Sequence, residues 1–226
     1  MRLVAILAGS VVLASLAARR AFASRQQAAR RSTRAAIVVM GPSGSGKSTL
    51  ARALAKELGA PYIEGDQHHS PANIAKLAAG VPLTEVDRQP FLESVGRAVA
   101  GAAYLPVVSC SALRRSHRAI LRRHAPHMVF VWIDVPTEEL ERRLLHRPGH
   151  FMPASLLDDQ LATFERPAPP EEFIWVDGLL PTSEQVHTIV PHLPAGGAPG
   201  RLADRATRRN RRGRTGFDIH GTGSDR

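Results

Sequence analysis

Along residues 35–193 short apolar runs alternate with stretches whose apolar residues recur at helical spacing. The runs 36–40, 61–64, 105–110, 128–134 and 173–177 are short and apolar, and each predicts a buried strand. Between and beyond them, 47–59, 71–79, 85–103, 113–124, 137–146, 154–165 and 183–192 read as helices. In the first of these Leu50, Ala53, Leu54, Ala55 and Leu58 mark one face. Apolar strands separated by helices predict an α/β fold, a five-stranded parallel sheet with helices on both faces. No internal repeat is visible. Ligands of such sheets sit beyond the carboxyl ends of the strands, so the residues that follow each strand carry the functional information.

After the first strand comes Gly41-Pro42-Ser43-Gly44-Ser45-Gly46-Lys47-Ser48-Thr49, which fits G-x-x-x-x-G-K-[ST]. It stands between a strand and a helix, the context that gives the pattern meaning. Glycines let backbone N–H groups turn inward around phosphate oxygens, and the helix N-terminus adds partial positive charge. Lys47 can reach the β- and γ-phosphates, and the Ser48 hydroxyl can ligate Mg²⁺. An ordinary Gly/Ser turn does not explain Gly-Lys-Ser at a helix start. Two further runs end in an acid: Tyr62-Ile63-Glu64-Gly65-Asp66 and Phe130-Val131-Trp132-Ile133-Asp134. Either offers the metal-side carboxylate of an NTPase. Asp66 is favoured, because polar residues surround it and Gly65 frees the backbone there. Asp134 precedes Val-Pro and a helix start, the setting of a turn or cap residue. The third strand ends in Ser109-Cys110-Ser111, where many NTPases carry an acid.

Charge changes the picture only after it is partitioned. The chain carries a net +10, which suggests nucleic acid, but residues 1–34 hold seven Arg and no acid. Residues 195–226 hold eight Arg and three Asp, and the core 35–194 has 15 basic and 17 acidic residues. The basic character therefore lives in the ends, and the near-neutral core points to no nucleic-acid partner and no membrane. A single cysteine, Cys110, excludes a disulfide framework and a Cys-based metal site. Residues 195–226, rich in Gly and Arg, read as a disordered basic tail. Residues 1–34 form an apolar and Arg-rich extension with Leu3 to Ala18 as its apolar run. Three readings stay open for it: a non-cleaved anchor, an export signal, or an upstream extension from a mis-assigned start. ATP is cytosolic, so the last reading, with a cytoplasmic enzyme in 35–194, is favoured.

Several separated motifs together resemble the gluconokinases, small P-loop kinases related to shikimate and nucleoside monophosphate kinases. They are the loop at 41–48, Glu64-Gly-Asp-Gln-His-His69, Asn73-Ile-Ala-Lys76, and Gly80-Val-Pro-Leu-Thr-Glu-Val-Asp-Arg-Gln-Pro-Phe-Leu92. Cys110-Ser-Ala-Leu-Arg-Arg115 with Arg118, Gly149-His-Phe-Met152, Gln160 and Glu165-Arg-Pro167 complete the set. Glu64 stands where Asp is commoner, His117 replaces a usual Tyr, Arg114 a usual Lys and Phe91 a usual Trp.

The resemblance implies a P-loop kinase fold with a mobile lid and transfer of the ATP γ-phosphoryl group to the 6-hydroxyl of D-gluconate. It implies nucleotide contacts from Gly41 to Thr49, with Lys47 catalytic and Ser48 and Glu64 on the Mg²⁺ side. Asp66 would orient the sugar hydroxyl and accept its proton. The gluconate carboxylate calls for a cation, with Arg88, Arg114 and Arg118 as candidates and Arg88 first, beside His69 and Asn73 for hydroxyls. Arg143, Arg147 and His150 flank or occupy a Gly/Pro segment that suits a lid near 147–157; one arginine would reach the transferring phosphoryl and the other stack on adenine. Cys110 reads as a small buried apolar residue. Family members are often dimers, which leaves a homodimer open here. Two rival readings stay in view: a P-loop kinase for another acceptor, such as shikimate or another sugar acid, and a nucleotide-binding module recruited to nucleic acid through basic tails.

Overall fold

The computed structural model describes residues 35–102, 105–146 and 155–193. The N-terminal extension, the basic tail, and Arg147 and His150 of the expected lid lie outside the described residues. The strands are β1 (Ala35–Met40), β2 (Tyr62–Glu64), β3 (Val107–Ser109), β4 (His127–Asp134) and β5 (Phe173–Asp177). The helices are α1 (Lys47–Leu58), α2 (Pro71–Ala78), α3 (Glu85–Gly101), α4 (Arg115–His124), α5 (Thr137–Leu145), α6 (Ser155–Thr163) and α7 (Thr182–Ile189).

All strand pairs are parallel and the order is β2-β3-β1-β4-β5. The expected five-stranded parallel α/β sheet is therefore present. β1 is central because it is apolar on both faces: Ala36 to Met40 are fully buried. Val38, Met40, Val108, Phe130 and Trp132 pack with Phe91, Leu92 and Val95 of α3 into one cluster. Burial of this kind stabilises by about 25 cal/mol per Å² of apolar surface. The chain leaves β1 between β3 and β4 and the strand order runs outward on both sides. That switch point opens a crevice at the carboxyl end of β1, where the glycine-rich loop begins.

Element ends differ from the sequence expectation for identifiable reasons. α4 starts at Arg115 rather than residue 113, because Arg114 is extended (φ −100°, ψ 156°) and stands as its N-cap. α7 stops at Ile189, and residues 190–192 form a 3-10 turn around Pro191, which has no N–H to donate. Residues 65–68, between β2 and α2, form a short 3-10 turn that carries Asp66. Gly65 is required there: a Cβ at this position would lie 2.1 Å from the Ser109 carbonyl oxygen. α3 begins at a capping box in which Thr84 and Asp87 exchange hydrogen bonds. Lys76 adds hydrogen bonds of 2.8 Å to both Asp87 carboxylate oxygens, tying α2 to the start of α3. These bonds, those from Lys76 first, hold the Asp87 carboxyl at about 2.

Candidate active site

The loop Gly41–Gly46 turns sharply out of β1 into α1. Gly46, at the N-cap of α1, has φ 92°, a conformation that favours glycine. Lys47 donates back to the Pro42 carbonyl at 2.9 Å, so its ammonium crosses the loop. The Ser43 N–H donates to Gln160 Oε1 of α6 at 2.8 Å, which fixes the loop against that helix. The sequence marks Gln160 only as a motif position; its partner is 117 residues away. Ser45 is buried and Thr49 is exposed on α1.

Beside the loop, at the carboxyl ends of β1 and β2, lies a cleft. Ser43 and Lys47 form one wall, Asp66 and His69 another, and Arg88 with Phe91 a third. Nucleotide-loop and acceptor-side residues thus share one space. Asp66 is exposed to it. His69 stacks on Phe91 with ring centroids 3.8 Å apart, and Asn73 Nδ2 lies 3.5 Å from its Nδ1. Asn73 itself is held by a 2.9 Å bond to the Asp87 carbonyl. Arg88 is nearly buried; its Nε donates to the Leu83 carbonyl at 3.1 Å, and a terminal nitrogen lies 3.4 Å from Asp159 of α6. The fork is thus oriented by its neighbours while it faces the cleft.

His117 also lines the cleft, a role its sequence position does not signal. Its Nε2 lies 2.9 Å from Glu85 and its Nδ1 accepts from the Arg114 N–H at 3.2 Å. Burial lowers the His69 and His117 pKa values, with Arg88 pushing the same way on each. Both rings are therefore neutral near pH 7. A lowered folded-state value means that the unfolded chain binds the proton more readily, so stability falls as pH drops through about 6.5, the ordinary histidine value. Thermal melting should show a lower Tm at pH 5.5 than at pH 7.5, and His117→Gln should shrink that difference. An equal Tm at both values would contradict the neutral buried rings.

One expected acceptor contact needs correction. Arg118 does not reach the cleft: its side chain is 1% exposed and forms a two-pronged pair with Glu171, at 3.0 and 2.7 Å. Its remaining terminal nitrogen donates to the carbonyls of Ala112, Leu113 and Glu165. All three guanidinium nitrogens are thus engaged in holding the strained Ala112 turn and the segment after α6. Arg114 Nε lies 3.5 Å from Glu85, the carboxylate that also meets His117 of the cleft. Arg143 bridges Glu139 (2.7 Å) and the Gly178 carbonyl (2.8 Å), spanning α5 and the end of β5. Asp134 is the last residue of β4 and accepts from Trp175 Nε1 of β5 at 3.0 Å, so it makes a cross-strand contact instead of the expected turn or cap.

The acid that meets the loop serine is Glu64 rather than Asp66. Ser48 Oγ donates to Glu64 Oε1 at 3.2 Å, and Arg52 donates to Oε2 at 3.0 Å. Burial raises the Glu64 pKa, but hydrogen bonds from Ser109, Tyr62 and Ser48 outweigh it and leave the carboxyl below its ordinary value. An ionised carboxylate facing a hydroxyl at the head of a phosphate loop is a hard-oxygen pair that suits Mg²⁺. Cys110 is fully buried and its thiol is pushed up to about 12 by that burial, so it is inert at neutral pH.

A phosphate loop on the central strand of a parallel sheet, opening on a cleft with an acid and a buried arginine, defines a P-loop kinase of small molecules. Residues 37–167 match the protein family described as an AAA domain. The gluconokinase of Gluconobacter oxydans is 45% identical over 162 residues, 70% of this chain and 91% of that protein. The crystal structure of a gluconokinase from Sinorhizobium meliloti superposes with a TM-score of 0.65 at 44% identity, covering 79% of this chain and 99% of that one. An unliganded sugar kinase from a Janibacter species gives 0.66 at 41% identity, over 74% and 99% of the two chains. The chain belongs to the gluconokinase family.

Proposed function

We propose that the chain transfers the γ-phosphoryl group of ATP to the 6-hydroxyl of D-gluconate, giving 6-phospho-D-gluconate and ADP. The observation that carries this reading is the single cleft in which Lys47 and Ser43 of the phosphate loop face Asp66, His69 and Arg88. Phosphoryl transfer asks the protein for positioning and charge neutralisation, and these residues supply both. The loop N–H groups and Lys47 bind the β,γ end of ATP. Ser48 and Glu64 would hold Mg²⁺, which when bound neutralises charge on the phosphate oxygens. Asp66 orients the 6-hydroxyl and takes its proton. Arg88 pairs with the gluconate carboxylate, for which a preset planar fork is suited. Neutral His69, fixed by Phe91 and Asn73, bonds a sugar hydroxyl. Arg147 at the lid serves the transferring phosphoryl, Arg143 the nucleotide, and His150 the acceptor.

The catalytic unit is residues 35–194, and the reaction belongs in the cytoplasm, where ATP is supplied. Among the described residues no helix is long and apolar enough to cross a membrane. A panel of acceptors with Mg-ATP tests the reading. D-gluconate should be consumed and ³¹P NMR should show phosphorus coupled to the two C6 protons. Phosphorylation of shikimate instead, or of another gluconate carbon, would overturn it.

A further inference from the structure

We propose that Tyr62 and Ser109 are positioning residues that aim the Glu64 carboxylate at the Ser48 hydroxyl, so that this pair presents one geometry to the nucleotide's divalent cation. The inference rests on the phosphoryl-transfer reading above, and it accounts for a feature that reading leaves unexplained. The third strand ends in Ser109, where many NTPases carry the metal-side acid. Here β2 supplies the acid instead. In the parallel register Glu64 lies directly opposite Ser109. Its carboxylate therefore serves the same corner from the neighbouring strand.

The arrangement follows from two periodicities. Tyr62 and Glu64, two apart on a strand, share one face of the sheet. Ser48 and Arg52, four apart on α1, share one helix face and cover it. Between them Glu64 receives four donors. Ser48 Oγ (3.2 Å) and Ser109 Oγ donate to Oε1; the Tyr62 hydroxyl and Arg52 (3.0 Å) donate to Oε2. The Tyr62 and Ser109 hydroxyl oxygens are themselves 3.1 Å apart, and the Arg52 guanidinium lies 5.1 Å from the Tyr62 ring centroid.

Glutamate has one more rotatable bond than aspartate. Free, it would spread its carboxylate over several rotamers. Clamping one oxygen with each hydroxyl leaves a single rotamer, which does for a long side chain what stiffness does for a short one. Partners that orient a metal-side carboxylate commonly govern metal affinity by ten- to a hundredfold.

The experiment uses the full chain and a fluorescent, non-hydrolysable ATP analogue, titrated in EDTA and at a series of Mg²⁺ concentrations. Tyr62→Phe/Ser109→Ala should raise the Mg²⁺ concentration for half-maximal effect by about tenfold, with each single substitution between wild type and double. Binding in EDTA should stay within about twofold, which also reports that the variant is folded. In a Glu64→Gln background the same two substitutions should change the Mg²⁺ response no further. A double variant with the wild-type Mg²⁺ response, or one that loses binding equally with and without Mg²⁺, would overturn the positioning role while leaving the metal-side assignment intact. A Glu64→Gln chain with an undiminished Mg²⁺ response would instead overturn that assignment and the proposal with it.

Discussion

Asp66→Asn is expected to lower kcat for D-gluconate by about a thousandfold, within the range that general bases contribute. The KM for ATP should stay within about twofold. The asymmetry follows from where Asp66 sits. It is carried by the short turn after β2, not by the phosphate loop, and it faces the cleft that Lys47 also lines. Asparagine keeps the size and a hydrogen-bonding oxygen but accepts no proton at neutral pH. Steady-state kinetics with both substrates varied measures the two effects separately. A variant that keeps kcat and loses only gluconate affinity would make Asp66 a binding residue and leave the base unassigned. Gly65 makes the position possible, since any side chain there would meet the Ser109 carbonyl and push the turn away.

The second large effect is on stability. Glu171→Ala removes the carboxylate that meets Arg118 at 2.7 Å and leaves a guanidinium, 1% exposed, without its counter-charge. Breaking a buried pair from one side costs about 3–5 kcal/mol. For a domain of this size that lowers Tm by about 10 °C. The three backbone carbonyls that Arg118 also binds keep the expected loss at the lower end of the range. Gluconate KM should be unchanged within about twofold, because neither residue lines the cleft. Calorimetry on the variant checks the first part and kinetics the second. A gluconate KM raised tenfold with Tm unmoved would return Arg118 to the acceptor site.

How much of this was legible in the sequence depends on range. The phosphate loop reads directly, because its chemistry is local: strand, glycines, lysine and serine are consecutive. The five strands read from their apolar runs, whereas the central place of β1 is known only from the strand pairing. Asp66, His69 and Arg88 could be named because they follow strands or sit in distinctive local motifs, and the cleft does bring them to the same space as Lys47. Contacts across long separations were not legible. Arg118 is one of 27 arginines, and nothing near it in sequence announces Glu171, 53 residues on. Gln160 reaches Ser43 only because α6 folds back over the loop. The residue pattern favours Asp66 over Asp134 as the metal-side acid, and only the resemblance puts Glu64, two residues from Asp66, on the Mg²⁺ side. The parallel register with β3 and the cover of α1 separate them, turning Glu64 to Ser48 and leaving Asp66 to the cleft.

Comparing ADP formation by the full chain with Mg-ATP in the presence and absence of D-gluconate tests the central claim most directly. Gluconate-dependent ADP release, stoichiometric with a new phosphate monoester, is the predicted result. ATP turnover that gluconate does not stimulate would contradict the account, leaving a phosphate-binding loop whose acceptor is some other molecule.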